Sequence, residues 1–213
     1  MTLAQDAPAR DRSPLPVAVR KATPADAPKV SAVLARAFDD DPFANWACAQ
    51  DSRRSRRIYD FLDFANRKLT LPYREVYTTG EYHGGAPWTP PGRWKMGMVQ
   101  QVLALPAFIR ATSLRRLPAV MGGINAVEKK HPQEPHYYLL ALGVEPALQG
   151  KSIGTQLMAP VLAMCDRDGT GAYLESSKEV NVPLYERNGF KVTEEFVVPN
   201  GGPKIWLMWR DPQ

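Results

Sequence analysis

Apolar positions along this chain recur in two periods, one of about two residues and one of three to four, and the alternation between them predicts its elements. Residues 17–20 read as a short strand. Thr23 then caps a helix with Pro24 at its first position, and Val30, Val33, Leu34 and Phe38 form its apolar stripe. The acidic run Asp39-Asp40-Asp41 before Pro42 ends it. Residues 53–69 predict a second helix through Ile58, Leu62, Ala65 and Leu69. Strands at 75–79 and 82–88 flank Gly80-Glu81 as a tight hairpin, and Thr89-Pro90-Pro91-Gly92 stops the second. Residues 94–131 return to helical spacing, with Pro106 and Pro118 breaking the run.

The nearly unbroken apolar stretch 137–144 predicts one central strand covered on both faces. A helix over 152–168 follows, with Ser152 as its N-cap and Gly169 and Gly171 at its end. Pro160 inside it predicts a kink, because an interior proline costs on the order of 3 kcal/mol. Residues 172–176 form another strand and 180–188 a short helix. A closing hairpin over 190–198 and 204–210 turns at Asn200-Gly201-Gly202. The whole is an α/β protein with a mixed sheet, helices on both faces and a helical insertion at about 94–131.

Composition changes this picture little. A chain of 213 residues with 44% hydrophobic and 23% charged positions suits one domain over 17–213, behind an aperiodic, flexible tail at 1–16. The excess of five positive charges is spread along the chain. Arg53, Arg54, Arg56 and Arg57 read as a solvated helix start, and without an aromatic-and-basic platform no nucleic-acid partner is expected. Cys48 and Cys165 stand far apart, and His83, His131 and His136 lack the spacing of a metal motif, so no metal is expected. The absence of an 18-residue apolar run or a leader pattern predicts a cytoplasmic protein without a membrane partner, with monomer and homodimer both open.

The most informative stretch runs from Leu142 to Thr155, where an apolar strand passes through a short turn into a glycine-bearing helix start. The first N–H groups of a helix have no intrahelical partner and carry the positive end of its dipole, so this junction suits a phosphate. Gly150-Lys151-Ser152 invites a nucleotide-triphosphate reading. That motif needs four residues between its first glycine and the Gly-Lys pair, and here six separate Gly143 from Gly150. The Gly-x-Gly-x-x-Gly of a dinucleotide fold is missing too.

The pattern Leu142-x-Val144-x-Pro146-x-x-Gln149-Gly150-Lys151-x-Ile153-Gly154 resembles the coenzyme A pyrophosphate loop of the GCN5-related N-acetyltransferase (GNAT) superfamily. Asn181-Val182-Pro183-Leu184-Tyr185-Glu186-Arg187-Asn188-Gly189-Phe190 is similar to that family's second signature. The departure is Ser152, where the family prefers glycine. Trp88-Thr89-Pro90, Leu174-Glu175-Ser176-Ser177 and His131-x-x-Glu134-Pro135 resemble puromycin N-acetyltransferase-like members.

The resemblance implies the acyl-CoA N-acyltransferase fold, a mostly antiparallel mixed sheet splayed between its fourth and fifth strands. It implies an acetyl-CoA-dependent enzyme acting on a primary amine of a small molecule, such as an aminonucleoside or other antibiotic, with a CoA sensor or a protein acetyltransferase as alternatives. Leu142, Gly143 and Val144 would meet the pantetheine, Gln149, Gly150, Lys151, Ser152, Ile153, Gly154 and Thr155 the pyrophosphate, and Asn181 would fix the cofactor through its amide. Tyr185 would protonate the departing thiolate, since a phenol keeps its proton at neutral pH. A base must neutralise the amine. Glu175, inside an apolar strand, is the first candidate and His136 a further one, while the Asp39–Asp41 run would instead attract a cationic acceptor. Asp41, Phe43, Trp46 and Trp88 are expected to build the acceptor pocket together with the insertion.

Overall fold

The computed structural model describes residues 13–213, apart from the side chains of Met98 and Val99, around a mixed sheet of eight strands. These are β1 (Val19–Lys21), β2 (Val76–Thr79), β3 (Gly84–Thr89), β4 (His136–Leu139), β5 (Gly143–Val144), β6 (Gly171–Ser176), β7 (Lys191–Val197) and β8 (Lys204–Arg210). Their order is β1-β2-β3-β4-β6-β8-β7, with β5 pairing β3. All pairings are antiparallel except β4 with β6, which a helical crossover joins. The helices are α1 (Ala27–Ala37), α2 (Pro42–Ala47), α3 (Arg54–Ala65), α4 (Met98–Thr112), α5 (Leu117–Glu128), α6 (Ile153–Asp168) and α7 (Val182–Glu186).

Two adjacent glycines show how the sheet is sandwiched. Successive strand residues point to opposite faces. A Cβ on Gly84 would lie 2.8 Å from Leu157 of α6, and one on Gly85 would lie 2.9 Å from Val30 of α1. Both helices therefore lie closer to β3 than a side chain there would permit. The α6 face buries Trp88, Leu157, Val161 and Phe190, while the α1 face buries Val30, Leu34, Ile58 and Leu62.

Several boundaries differ from expectation for local reasons. The first helix opens with a tight 3-10 turn, where Thr23 N–H and hydroxyl both donate to Asp26. Asp26 also receives Arg20 at 2.8 Å and the Tyr82 hydroxyl at 2.6 Å, and the Arg20 guanidinium holds its carboxyl well below the usual carboxylate range. Asp41 does more than end a helix: its carboxylate accepts Ala44 N–H at 2.8 Å and so caps α2. The second expected helix stops at Ala65 and continues as a π-type turn over Asn66–Thr70. The hairpin turn widens beyond Gly80-Glu81, because Thr79 Oγ1 captures His83 N–H at 2.7 Å.

Pro106 does not break its helix. It is exposed, as is Val102 one turn earlier, so water can take the carbonyl whose partner N–H is missing. α6 likewise runs unbroken through Pro160. Of the stretch expected as a tail, residues 1–12 lie outside the described residues. Leu15 N–H donates to Lys151 O at 3.0 Å, and Gln156 bonds both Leu15 O and Val17 N–H.

The end of α6 is joined to the last strand by an ion pair whose arginine is buried and whose carboxylate is half-buried. Arg210, only 4% exposed, binds Asp166 through both terminal nitrogens at 2.7 and 2.9 Å and donates through Nε to Asn188 O at 3.0 Å. The Arg210 guanidinium holds the Asp166 carboxyl below its ordinary value. This contribution to stability is full above the carboxyl's unfolded-state titration and is lost as pH falls through its lower folded-state value. Asp166→Ala, which strands a buried cation, should cost about 3 kcal/mol in urea denaturation at neutral pH. A loss under about 1 kcal/mol would show that water reaches Arg210 freely.

Candidate functional site

The pairing of β4 with β6 runs from His136↔Gly171 to Leu139↔Leu174 and then stops. The chain bends at Leu140–Leu142, and β5 pairs only with β3, whereas β6 continues along β8 as far as Ser176↔Trp206. What reads in sequence as one apolar strand is thus two segments, with Leu140 N–H bonded to Pro87 O at 3.0 Å at the bend. The two arms part as expected and leave a V-shaped cleft of about 60 Å³. Leu142 and Ala141 line one arm and Glu175 and Ser177 the other, with Asn181 and Tyr185 between them.

Below this cleft lies the cradle between β5 and α6. Gly150 has φ of 84° and Ser152 of 62°, both in the left-handed region. Ser152 therefore does not act as the capping side chain expected of it: it stands at the N-cap position without a cap hydrogen bond. Ile153, Gly154 and Thr155 form the first turn of α6, whose N–H groups have no intrahelical partner. The Gln149 amide turns back to Val144 O at 3.2 Å. Thr155 Oγ1 accepts from Asn188 Nδ2 at 3.2 Å, which ties the cradle helix to the segment carrying Tyr185.

Tyr185 is buried, its ring edge-on to Phe190 at 6.2 Å between centroids. Among the described residues no group hydrogen-bonds its hydroxyl. Burial, and then the nearby Asp41 carboxylate, push the phenol well above its ordinary range. Its proton stays on oxygen at neutral pH.

A larger cavity of about 290 Å³ adjoins the cleft and shares Phe38, Asp41, Leu140, Ala141, Glu175 and Ser177 with it. Phe61 and Phe64 of α3, Phe108 of α4 and Val120 of α5 give it apolar walls, so the insertion does cover it. Its carboxylates are Asp41, Glu128 and Glu175, and no lysine or arginine is among its described lining residues. Cys48 also lines it, with burial pushing the thiol up, away from the nucleophilic thiolate.

The expected pocket residues divide. Phe43 and Asp41 line the cavity, and Asp41 is buried, accepting the Ser177 hydroxyl as well as Ala44 N–H. Trp46 does not line it: its ring packs against Gly123 in a separate cluster with Val198, and its Nε1 donates to Asn200 O at 3.2 Å. Trp88 is wholly buried in the core against α6, since its register on β3 is that of Gly84, and it lines neither space.

Sequence reasoning missed a polar cluster at the cavity wall. Glu175 accepts the Tyr138 hydroxyl at 2.6 Å and lies 3.3 Å from His131 Nδ1. His131 Nε2 is 2.9 Å from His136 Nε2, and His136 Nδ1 is 2.6 Å from Glu134 O. Trp94 stacks on His131 at 3.7 Å. The available signal was the spacing of His131 and His136 about Pro132 and Pro135, which excluded a metal motif without revealing that the two rings meet. Among the described residues no group of three or more His, Cys, Asp or Glu could hold a metal, and no helix is long and apolar enough to cross a membrane.

Comparison with known proteins gives the same fold. The model of the Acetyltransferase (GNAT) family matches residues 86–190, from β3 through the cradle to the end of the Tyr185 segment. An uncharacterized N-acetyltransferase of Schizosaccharomyces pombe is 26% identical over 212 residues, covering 92% of this chain and 84% of the relative. A Corynebacterium glutamicum structure described as histone acetyltransferase HPA2 and related acetyltransferase superposes with a TM-score of 0.69. It is 22% identical and the match covers 93% of this chain and 98% of that one. The polyamine N-acetyltransferase of Drosophila melanogaster, which forms N-acetylagmatine, has a TM-score of 0.59 at 14% identity, over 92% and 100% of the two chains. Sheet, cradle and the match over residues 86–190 agree: the chain has the GNAT fold and is similar to N-acetyltransferases.

Proposed function

We propose that this acetyltransferase moves the acetyl group of acetyl-CoA to the primary amine of a small molecule with a bulky apolar body, an aminonucleoside or related antibiotic in the manner of the puromycin N-acetyltransferase-like members. The observation that carries this reading is the 290 Å³ cavity, with aromatic walls, three carboxylates and no lysine or arginine among its described lining residues, opening directly onto the cleft. Apolar walls favour an apolar body, and carboxylates favour an ammonium head. A protein acceptor calls for an open groove, whereas α3, α4 and α5 all contribute to covering this cavity.

The chain's own geometry fits the donor. Left-handed φ at Gly150 and Ser152 turns the loop so that the first-turn N–H groups of α6 face an anion, an arrangement that costs serine about 1 kcal/mol over glycine. The open edge of β5 and bend 140–142 offers backbone groups of Leu142, Gly143 and Val144 to a pantetheine, and the Asn181 amide lines the same cleft. When bound, acetyl-CoA supplies an activated acyl group.

Tyr185 Oη holds a proton in the cleft and releases it to the leaving sulfur. Glu175, at the junction of cleft and cavity, takes a proton from the ammonium, and Asp41 draws the cation toward that junction. With Cys48 held as a thiol, the amine attacks directly without a covalent enzyme species.

Thiol release from acetyl-CoA across primary amines of increasing apolar bulk, from methylamine through 2-phenylethylamine to aminonucleosides, should show kcat/KM rising with bulk. A preference for polyamines or lysine peptides would overturn the assignment. Tyr185→Phe should lower kcat by about 10²-fold while the Kd for acetyl-CoA stays within about twofold, and an unchanged rate removes the phenol from the chemistry. Ser152→Gly should raise folding stability by about 1 kcal/mol in thermal or chemical unfolding by relieving the left-handed strain, and a destabilised variant would show that the hydroxyl matters more than the strain.

A further inference from the structure

With His136 neutral, the hydrogen bonds behind Glu175 have one consistent assignment of protons. Glu134 O can only accept, so its 2.6 Å contact puts a proton on His136 Nδ1. Burial holds the His136 ring below the ordinary histidine range, which makes it neutral and its Nε2 a bare acceptor. The 2.9 Å contact between the two Nε2 atoms then requires the proton on His131 Nε2. On the far side Tyr138 donates to Glu175 Oε2, leaving Oε1 facing His131 Nδ1 at 3.3 Å. One place remains for one further proton, between Nδ1 and Oε1.

We propose that the Glu175–His131 pair stores the proton removed from the acceptor ammonium, and that His136 and the Glu134 carbonyl are positioning groups that fix the tautomer keeping Nδ1 turned toward Glu175. This rests on the amine reading given above. Empty, the pair carries one negative charge and attracts the ammonium. On transfer the N–H bond breaks, its electron pair stays on the substrate nitrogen, and the proton binds at Glu175 Oε1 or His131 Nδ1. The pair becomes neutral overall, and nothing is oxidised. Farther passage is blocked, since the Glu134 carbonyl cannot take a proton. The proton leaves to water by the way it came once the product has gone.

The surroundings support storage. His131 is 3% exposed and Glu175 15%, and Trp94 covers the imidazole face, so exchange passes through the carboxylate. The other titratable groups facing the pair are Tyr138 of β4, Tyr173 of β6, Glu128 of α5 and Asp41 ahead of α2, with Glu194 of β7 farther out and paired with Lys130. Burial, with Glu175 adding to it, pushes both phenols up, so they remain donors.

Long-range ¹H–¹⁵N spectra of the full chain report ring tautomers directly, with His83 as an internal reference. His136 should show a neutral ring with its proton on Nδ1, and His131 a proton on Nε2, with Nδ1 as the nitrogen that takes the stored proton. Glu175→Gln, which removes the anionic partner, should change the state of His131 Nδ1 at unchanged pH. A His136 proton on Nε2, or a His131 Nδ1 indifferent to Glu175→Gln, overturns the proposal whatever the activity. In turnover, His131→Gln retains a donor for His136 but no titrating nitrogen. It should lower kcat by about 10²-fold at neutral pH and displace the rising limb of the pH–kcat/KM profile, measured with 2-phenylethylamine. An unchanged profile also overturns the store. Acetylation of no amine despite the expected tautomers would overturn the amine reading and the store's role with it, whereas wrong tautomers in an active enzyme overturn the store alone.

Discussion

Two strands that cease to pair in the middle of a sheet impose the constraint on which the rest of this structure depends. Between Leu139 and Leu174 the ladder of β4 and β6 ends, and the backbone beyond it must find partners elsewhere. On one side β5 stays with β3, as β4 does, which is possible because Gly84 and Gly85 let helices and strand come together without side chains between them. On the other side β6 continues along β8, whose far end the Arg210–Asp166 pair fastens to α6. Both arms of the V are thus braced from outside. The gap stays open in a sheet that is otherwise continuous.

The opened sheet also explains the distribution of charge. A carboxylate such as Glu175 is tolerated on a strand only where the neighbouring strand has moved away and polar partners replace it, here the Tyr138 hydroxyl donor with His131 Nδ1 beside it. Asp41 is accommodated similarly, capping α2 and receiving Ser177. Each buried acid is held by groups from a different element. Their position is therefore set by the fold as a whole rather than by a local motif.

Much of this was legible in the sequence because the cradle and the Tyr185 segment are local: their residues lie within a few positions of each other, and backbone conformation alone brings them together. Element order was legible for the same reason. Three kinds of error share an opposite cause. Trp88 reads as a pocket aromatic, yet strand register turns it toward α6, and Trp46 is turned away by Gly123, far off in the chain. Ser152 reads as a cap because its residue type caps well, whereas the loop closes only with a left-handed φ there. The His131–His136 contact depends on the two rings folding toward each other across Pro132 and Pro135, which periodicity does not encode. Pro106 misled for a simpler reason: its helix continues because the carbonyl left without a partner N–H lies at the exposed face.

The fastening of the N-terminal segment has a consequence for how the molecule assembles. Val17 N–H and Leu15 O meet the Gln156 amide across 139 and 141 positions of chain, and Leu15 N–H meets Lys151 O beside the cradle. Closing so long a loop is entropically expensive and brings no return until β3, β5 and α6 already stand in place. The segment is therefore seated late. It acts as a clasp on the back of the cradle, which closes only after both halves of the chain have found each other.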